Sequence, residues 1–341
     1  MRVAVLGVGR LGAFHATTLH AHPDVTELLI ADADPARAAG TARRLGAPAR
    51  AVPSVDAAFA AAPDAVVIAT ATAAHPGLIR RAAGAGLPAY CEKPVATGLP
   101  ETVRAVRAVG EAGTVLQMGF QRRFDRGYAA ARQAVRTGRL GRLHTIRAVT
   151  SDMAPPPPEF VPLSGGLYRD CVIHDADAIR WITGRDIAEV YALGTDRGAE
   201  SFRSAGDVDT AAALFTLDDG TLATVTATRY NGAGYDVRME LAGTVGQIAV
   251  GLDTRTPLTS VEPGAAPGPA EPWAGFLDRF ALAYRAEIGA FLDVVRGTRP
   301  NPCDGREALT ALLVAEACES SRRERRPVTV AEVADRAAAY G

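Results

Sequence analysis

The residues of this 341-residue chain whose types and spacing could move a proton lie in GGLYRDCVIHDADAIRWITG, Gly165 to Gly184. The stretch reads as a helix opened by a glycine pair and closed by Gly184 just past Thr183. Residues three and four apart on a helix are neighbours. Asp170, His174, Asp177 and Trp181 therefore share one face, and Val172, Ala176, Ile179 and Thr183 share the other. An imidazole titrates near neutrality, and a carboxylate beside it can hold its orientation. That pairing suits general acid–base catalysis. Taken alone, the stretch also fits a solvated polar face carrying one surface histidine.

A second group with chemistry is Lys93, in Glu92-Lys93-Pro94 at the end of an apolar run from Leu87 to Cys91. The residue before a proline favours an extended backbone. Lys93 is thus held beyond its strand, where an ammonium could donate to a reacting oxygen. The competing reading is a surface lysine in a turn.

These groups need elements to position them, and the start of the chain supplies the first. Arg2 to Leu6 is a short apolar strand that runs into Gly7-Val8-Gly9-Arg10-Leu11-Gly12 and then a helix. G-x-G-x-x-G in this strand–turn–helix context is a dinucleotide-binding fingerprint. Gly7 makes the turn, Gly9 lets a pyrophosphate approach the backbone, and Gly12 allows close helix–strand packing. The helix start at Arg10 and Leu11 faces the phosphates. A second strand, Glu27 to Ala31, ends at Asp32, roughly 20 residues past the fingerprint, where an acid holds the adenosine ribose hydroxyls. A 2′-phosphate would meet a like charge there, so NAD is expected over NADP. Arg37 nearby could reach a 2′-phosphate, and Asp32 could instead cap the helix before Pro35.

The alternation continues. Strands from Ala65 to Ala69, Leu87 to Cys91 and Val115 to Gly119 are separated by helical segments, one of them beginning near His75. Such alternation gives a doubly wound parallel sheet with ligands beyond the carboxyl ends of its strands. Thr70, Glu92, Lys93 and Gln121 fall at those ends, and with His75 they join the residues expected to face the cofactor. Residues 1–121 are read as an α/β Rossmann domain.

Beyond Arg122 the pattern changes. A long alternating strand from Arg142 to Thr150 precedes the proline-rich loop Asp152 to Pro162 and the Asp170–His174 helix. Ala211 to Leu217 and Thr221 to Arg229 alternate around Asp218-Asp219-Gly220, a hairpin signal. Val237 to Leu241 and Gln247 to Val250 add strands. Residues 122–341 are read as an α+β domain with a large, mostly antiparallel open sheet. Gly251 to Pro272 reads as a loop, and amphipathic helices run from about Gly275 to Arg296 and Gly305 to Arg323. Their aromatics, Phe276, Phe280, Tyr284 and Phe291, are expected in the core.

The formal net charge is −1, which argues against nucleic acid as a partner, since phosphate neutralisation needs a basic excess. Arg322, Arg323, Arg325 and Arg326 read as a solvated helix end before Pro327. Four cysteines at Cys91, Cys171, Cys303 and Cys318 have neither disulfide-framework nor zinc spacing. No metal site is expected. The chain opens directly in a strand, and no apolar run approaches a membrane span, so a cytoplasmic protein is expected.

With the glycine turn, Glu92-Lys93-Pro94 and the G-G…D-x-x-x-H-D block together, the sequence resembles the Gfo/Idh/MocA oxidoreductases over essentially its whole length. Arg122-Arg123-Phe124-Asp125, the proline run Pro155 to Pro158, Ser164 to Gly166 and Gly234 to Glu240 are similar to the inositol dehydrogenases of that family. The resemblance implies Lys93, Asp170 and His174 as catalytic residues, with Arg122 and Tyr235 contacting substrate hydroxyls. It also implies a homo-oligomer, dimer or tetramer, formed through the second sheet. The sequence departs from the pattern at Ser151-Asp152-Met153, where members often carry arginine and then Asp-Pro, and Gln121 occupies a position that varies. The implied reaction is oxidation of a secondary hydroxyl of a cyclic polyol or sugar with NAD⁺. A ketoreductase running the reverse reaction, an NAD-dependent glycosidase and a non-catalytic sensor share the fold.

Overall fold

The computed structural model describes residues 1–340. Contacts divide them into two units, the first made of Met1–Gln121, Leu282–Leu309 and the chain end at Tyr340, the second of Arg122–Ala281 and Thr310–Ala339.

In the first unit, five apolar runs covered on both faces and one short, largely exposed edge segment, Ala49–Ala51, form strands. They are β1 (Arg2–Leu6), β2 (Glu27–Ala31), β3 (Ala49–Ala51), β4 (Ala65–Ile68), β5 (Ala89–Glu92) and β6 (Leu116–Gly119). β4 and β5 are buried at every residue, as expected of strands in a parallel sheet sandwiched by helices. The order is β3-β2-β1-β4-β5-β6, with every neighbouring pair parallel. The topology reverses between β1 and β4, which is where a doubly wound sheet opens its ligand crevice. Helix α1 (Arg10–His20) comes directly after β1, and α2 (Pro35–Leu45) after β2.

The assignment of residues 122–341 wholly to the second domain is corrected by Leu282–Leu309. Ile288, Phe291 and Leu292 of the helix Ala281–Val295 belong to the same buried cluster as Val3, Leu19, Leu28, Ile30 and Val67. The returning segment also covers the sheet's open edge. Met118 N donates to Cys303 O at 2.8 Å, and Asn301 Nδ2 donates to Leu116 O at 2.8 Å. Those bonds satisfy backbone groups that an edge strand would otherwise leave exposed. An amphipathic pattern shows that a face is buried, not which sheet buries it.

The second unit is a seven-stranded mixed sheet built from β7 (Leu143–Ser151), β8 (Ile187–Thr195), β9 (Thr210–Leu217), β10 (Leu222–Thr228), β11 (Asp236–Gly243), β12 (Gln247–Val250) and β13 (Val328–Thr329). Its order is β12-β11-β7-β10-β9-β8-β13. β7 and β10 pair in parallel and the other neighbours are antiparallel. β9 and β10 form the hairpin across Asp218-Asp219-Gly220 and alternate strictly between buried and exposed residues. β8 is a strand that residue alternation does not announce. Its register slips between Ile187 and Glu189, and such a bulge breaks the two-residue period.

The segment from Tyr168 begins as a π turn, Tyr168–Val172, and continues as helix α3, Ile173–Thr183, closed by Gly184 at φ 66°. The single α-helical stripe expected through Asp170, His174 and Asp177 therefore does not hold. A π turn adds a residue per turn and rotates everything before Ile173 relative to the rest of the helix. Trp273, left without a role by the sequence, anchors the loop before it. Its Nε1 donates to Asp253 Oδ1 at 3.1 Å and the Arg255 guanidinium lies 3.8 Å from its ring centre.

Candidate functional site

The residues expected to hold the cofactor lie in the first unit. Gly7 has φ +87°, and a Cβ there would meet Ala69 O at 2.7 Å; a Cβ on Gly12 would meet Gly7 O at 2.0 Å. Both glycines are therefore required by close backbone approach. Gly9 faces open space, and it is the N-cap of α1, with no side-chain cap and no acidic residue in the first turn. An uncapped 11-residue helix behind a side-chain-free turn fits a pyrophosphate. Arg10 is exposed and Leu11 half-buried beside it.

Asp32 binds back onto this turn. Its Oδ2 accepts from Val8 N at 2.7 Å and its Oδ1 from Asp34 N at 2.9 Å. The cap of α2 is Asp34, which accepts from Ala36 N and Arg37 N, so the capping alternative for Asp32 is answered by a different residue. Arg37 Nη1 stands 3.6 Å from Asp32 Oδ1, on a half-exposed side chain. The carboxylate at the end of β2 fits ribose hydroxyls.

Two residues expected to face the cofactor turn inward. The His75 ring is buried, with Nδ1 2.8 Å from Pro94 O and Nε2 3.1 Å from Thr70 O. It braces the ends of two strand-following loops, and both nitrogens are engaged. Burial holds its pKa below the usual histidine range, with those carbonyls pulling the other way. Glu92 Oε1 lies 2.6 Å from His15 Nε2 and accepts from Tyr90 OH at 2.9 Å. The same phenol is 3.0 Å from Glu287 Oε2, and burial pushes it well up. Glu92 thus belongs to an internal network. Lys93 comes next, half-buried, with a cis peptide to Pro94. Thr70 is half-buried at the β4 end, and Gln121 is buried at the close of the unit.

The residues expected to do acid–base chemistry, Asp170 and His174, lie in the second unit. His174 is 9% exposed, which removes the solvated-surface reading. Asp170, on the π turn, accepts from Arg229 Nη2 at 2.6 Å through Oδ2, and Arg229 Nη1 donates to Asp152 Oδ2 at 2.9 Å. Arg229 is 4% exposed. Burial works against its charge, but Cys171, Asp170 and Asp152 outweigh that and raise its pKa. Sequence reasoning missed Arg229. Its signal was position, because Ala223, Val225 and Ala227 are the buried residues of β10 and Arg229 continues their parity.

Arg122, expected to contact substrate, is engaged inside the protein. It is 2% exposed; Nη1 donates to Asp175 Oδ1 at 2.5 Å and Nη2 to Thr150 Oγ1 at 2.8 Å. Thr150 Oγ1 in turn donates to Asp175 Oδ2 at 2.9 Å. Burial pushes the Asp175 carboxyl up while Arg122 pulls it back. Asp177 is likewise absorbed, accepting from Arg123 Nη2 at 2.5 Å and Nε at 3.0 Å. These arginine–aspartate pairs pin α3 to the segment that opens the unit. Tyr235 is buried, its N–H donating to Trp273 O at 2.7 Å, and burial raises its phenol pKa. Among the described residues no group of three or more His, Cys, Asp or Glu side chains is placed to hold a metal ion, and no helix is long and apolar enough to cross a membrane.

Residues 1–120 match the family described as oxidoreductase family, NAD-binding Rossmann fold, and residues 128–249 match the GFO/IDH/MocA C-terminal domain. The chain is 40% identical over 323 residues to myo-inositol dehydrogenase Hyg17 of Streptomyces leeuwenhoekii, covering 94% of this chain and 97% of that one. It is similar to the crystal structure of a myo-inositol dehydrogenase from Corynebacterium glutamicum, with TM-score 0.87 and 33% identity over 96% of this chain and 98% of the other. It is also similar to scyllo-inositol dehydrogenase from Lactobacillus casei, solved with bound NAD(H) and scyllo-inositol, with TM-score 0.86 and 29% identity over 97% and 99%. A fingerprint turn shaped for a dinucleotide and likeness along nearly the full chain lead to one assignment: the chain belongs to the Gfo/Idh/MocA family of NAD-binding oxidoreductases.

Proposed function

We propose that this protein oxidises a secondary hydroxyl of an inositol, or of a closely related cyclic polyol, to the ketone. The observation that carries the acid–base part of this reading is a buried histidine, His174, four residues from a carboxylate whose charge and direction are fixed by Arg229. His174 takes the hydroxyl proton as general base, Asp170 balances the imidazolium that forms, and Lys93 donates to the reacting oxygen. Bound NAD⁺ supplies the hydride acceptor. Gly7, Gly9 and Gly12 seat its pyrophosphate, and Asp32 favours its unphosphorylated ribose. Tyr235 contributes to the polyol pocket. The substrates in the relatives' names, myo- and scyllo-inositol, support the substrate class.

The exposed face of the second sheet, with Leu193, Ala212, Leu214, Leu222, Thr224 and Thr226, is read as the surface through which copies assemble. Light scattering after Leu214→Glu tests that part, since an unchanged mass would remove it.

The test of the activity is NADH formation at 340 nm with purified protein, NAD⁺ and a panel of myo-, scyllo- and chiro-inositol and common aldoses, with NADP⁺ as control. Turnover of an inositol with NAD⁺ is expected. Activity on aldoses alone would replace the substrate class, and a higher kcat/KM with NADP⁺ would overturn the reading of Asp32.

A further inference from the structure

Asp170 is held less by its helix than by Arg229. The π turn lifts it out of the α-helical register, and its Oδ2 is gripped at 2.6 Å by a guanidinium reaching from just past the end of β10. The same guanidinium is shared at 2.9 Å with Asp152, just past the end of β7. The backbone locks this geometry. Asp152 N donates to Thr228 O at 2.9 Å, and Arg229 N donates to Asp209 O at 2.8 Å.

We propose that Arg229 and Asp152 form a charge-setting pair that positions Asp170 and fixes the pH at which His174 becomes a competent base. This rests on His174 and Asp170 acting as the proposed acid–base couple. An imidazolium is stabilised by the negative charge of its carboxylate partner. Arg229 cancels part of that charge, so His174 loses its proton at lower pH than it would beside a bare aspartate. Asp152 draws on the same guanidinium and returns part of the charge to Asp170. The two residues therefore push His174 in opposite directions.

Other groups of the second unit bear on the same place. Cys171 lies on the π turn itself, Tyr235 precedes β11 and senses Asp152 and Cys171, and Asp207 senses Arg229. Arg122 and Asp175 form a closed pair beside Tyr235. Arg229 is a permanent cation bonded to Asp170 through a side-chain oxygen, and a guanidinium keeps its charge across the working range.

The test is the pH profile of kcat/KM for myo-inositol with NAD⁺, whose acid limb reports the base in the free enzyme. Arg229→Gln should move that limb to higher pH, and Asp152→Asn should move it to lower pH, each by about half to one unit. Arg229→Lys keeps the charge and should return the limb toward wild type. A limb fixed at the wild-type pH with kcat lowered equally at all pH values, or both variants moving it the same way, would overturn the proposal. If Arg229→Gln fails to fold, the downward shift in Asp152→Asn and the unmoved limb in Arg229→Lys still decide it. His174→Ala is measured alongside: near-wild-type turnover there would defeat the underlying acid–base reading instead.

Discussion

The two units bury carboxylates in different company. In the first, Glu92 meets an imidazole and a phenol, His15 and Tyr90, and Glu287 meets the same phenol. In the second, Asp170, Asp175 and Asp177 each meet an arginine, Arg229, Arg122 and Arg123 respectively. A guanidinium cannot give up its proton, so the cations paired with these aspartates keep their charge while pH varies. His174 is the imidazole among these ion pairs on α3. The first unit's network instead braces the strand that ends at Lys93.

The comparison breaks most readily at the arginine pairs. Asp177→Ala removes a carboxylate partner of the nearly fully buried Arg123 guanidinium. Breaking a buried ion pair by removing one partner costs about 3–5 kcal/mol, so the urea midpoint should fall sharply. A loss near zero would mean the pair is solvated in solution. Tyr90→Phe removes a neutral hydrogen-bonding group between two carboxylates and should cost about 1–3 kcal/mol in the same measurement. If it equals or exceeds the cost of Asp177→Ala, the contrast between the units fails.

The smallest effect concerns His75. Its folded pKa lies below the ordinary 6.5, so the unfolded chain binds a proton first as pH falls. Stability is then fully present above about pH 6.5 and declines below it, by at most about 1.4 kcal/mol per pH unit, until the folded ring also protonates. His75→Asn should flatten that acid slope in thermal melts between pH 7 and 5. An unchanged slope would show that the ring is charged when folded, as its two facing carbonyls favour.

Much of this was legible in the residues. Gly7, Gly9 and Gly12 announce their turn because only a missing side chain satisfies it, and Gly184 marks the end of α3 by its positive φ. Five strands of the parallel sheet are readable because they are apolar on both faces, whereas the short, largely exposed β3 gives no such signal. The direction of side chains was not legible. Glu92, His75 and Arg122 fall where a ligand could be met, yet each side chain is engaged by partners that the local pattern does not reveal: His15, 77 positions from Glu92, Pro94 for His75 and Asp175, 53 positions from Arg122. The π turn escaped because nothing in GGLYRDCV distinguishes a five-residue from a four-residue hydrogen-bond step. Arg229 could have been found: a charged residue on the buried parity of a strand must be paired, and Asp152 and Asp170 were the nearby unexplained acids.

The central claim is that the first unit holds the cofactor while α3 supplies the proton chemistry. The most direct measurement is His174→Ala, assayed for both NADH affinity by fluorescence titration and turnover of myo-inositol with NAD⁺. Turnover should fall by about 10²–10⁴ while the NADH Kd stays at the wild-type value. Near-wild-type turnover, or an equal loss of cofactor binding, would contradict the account.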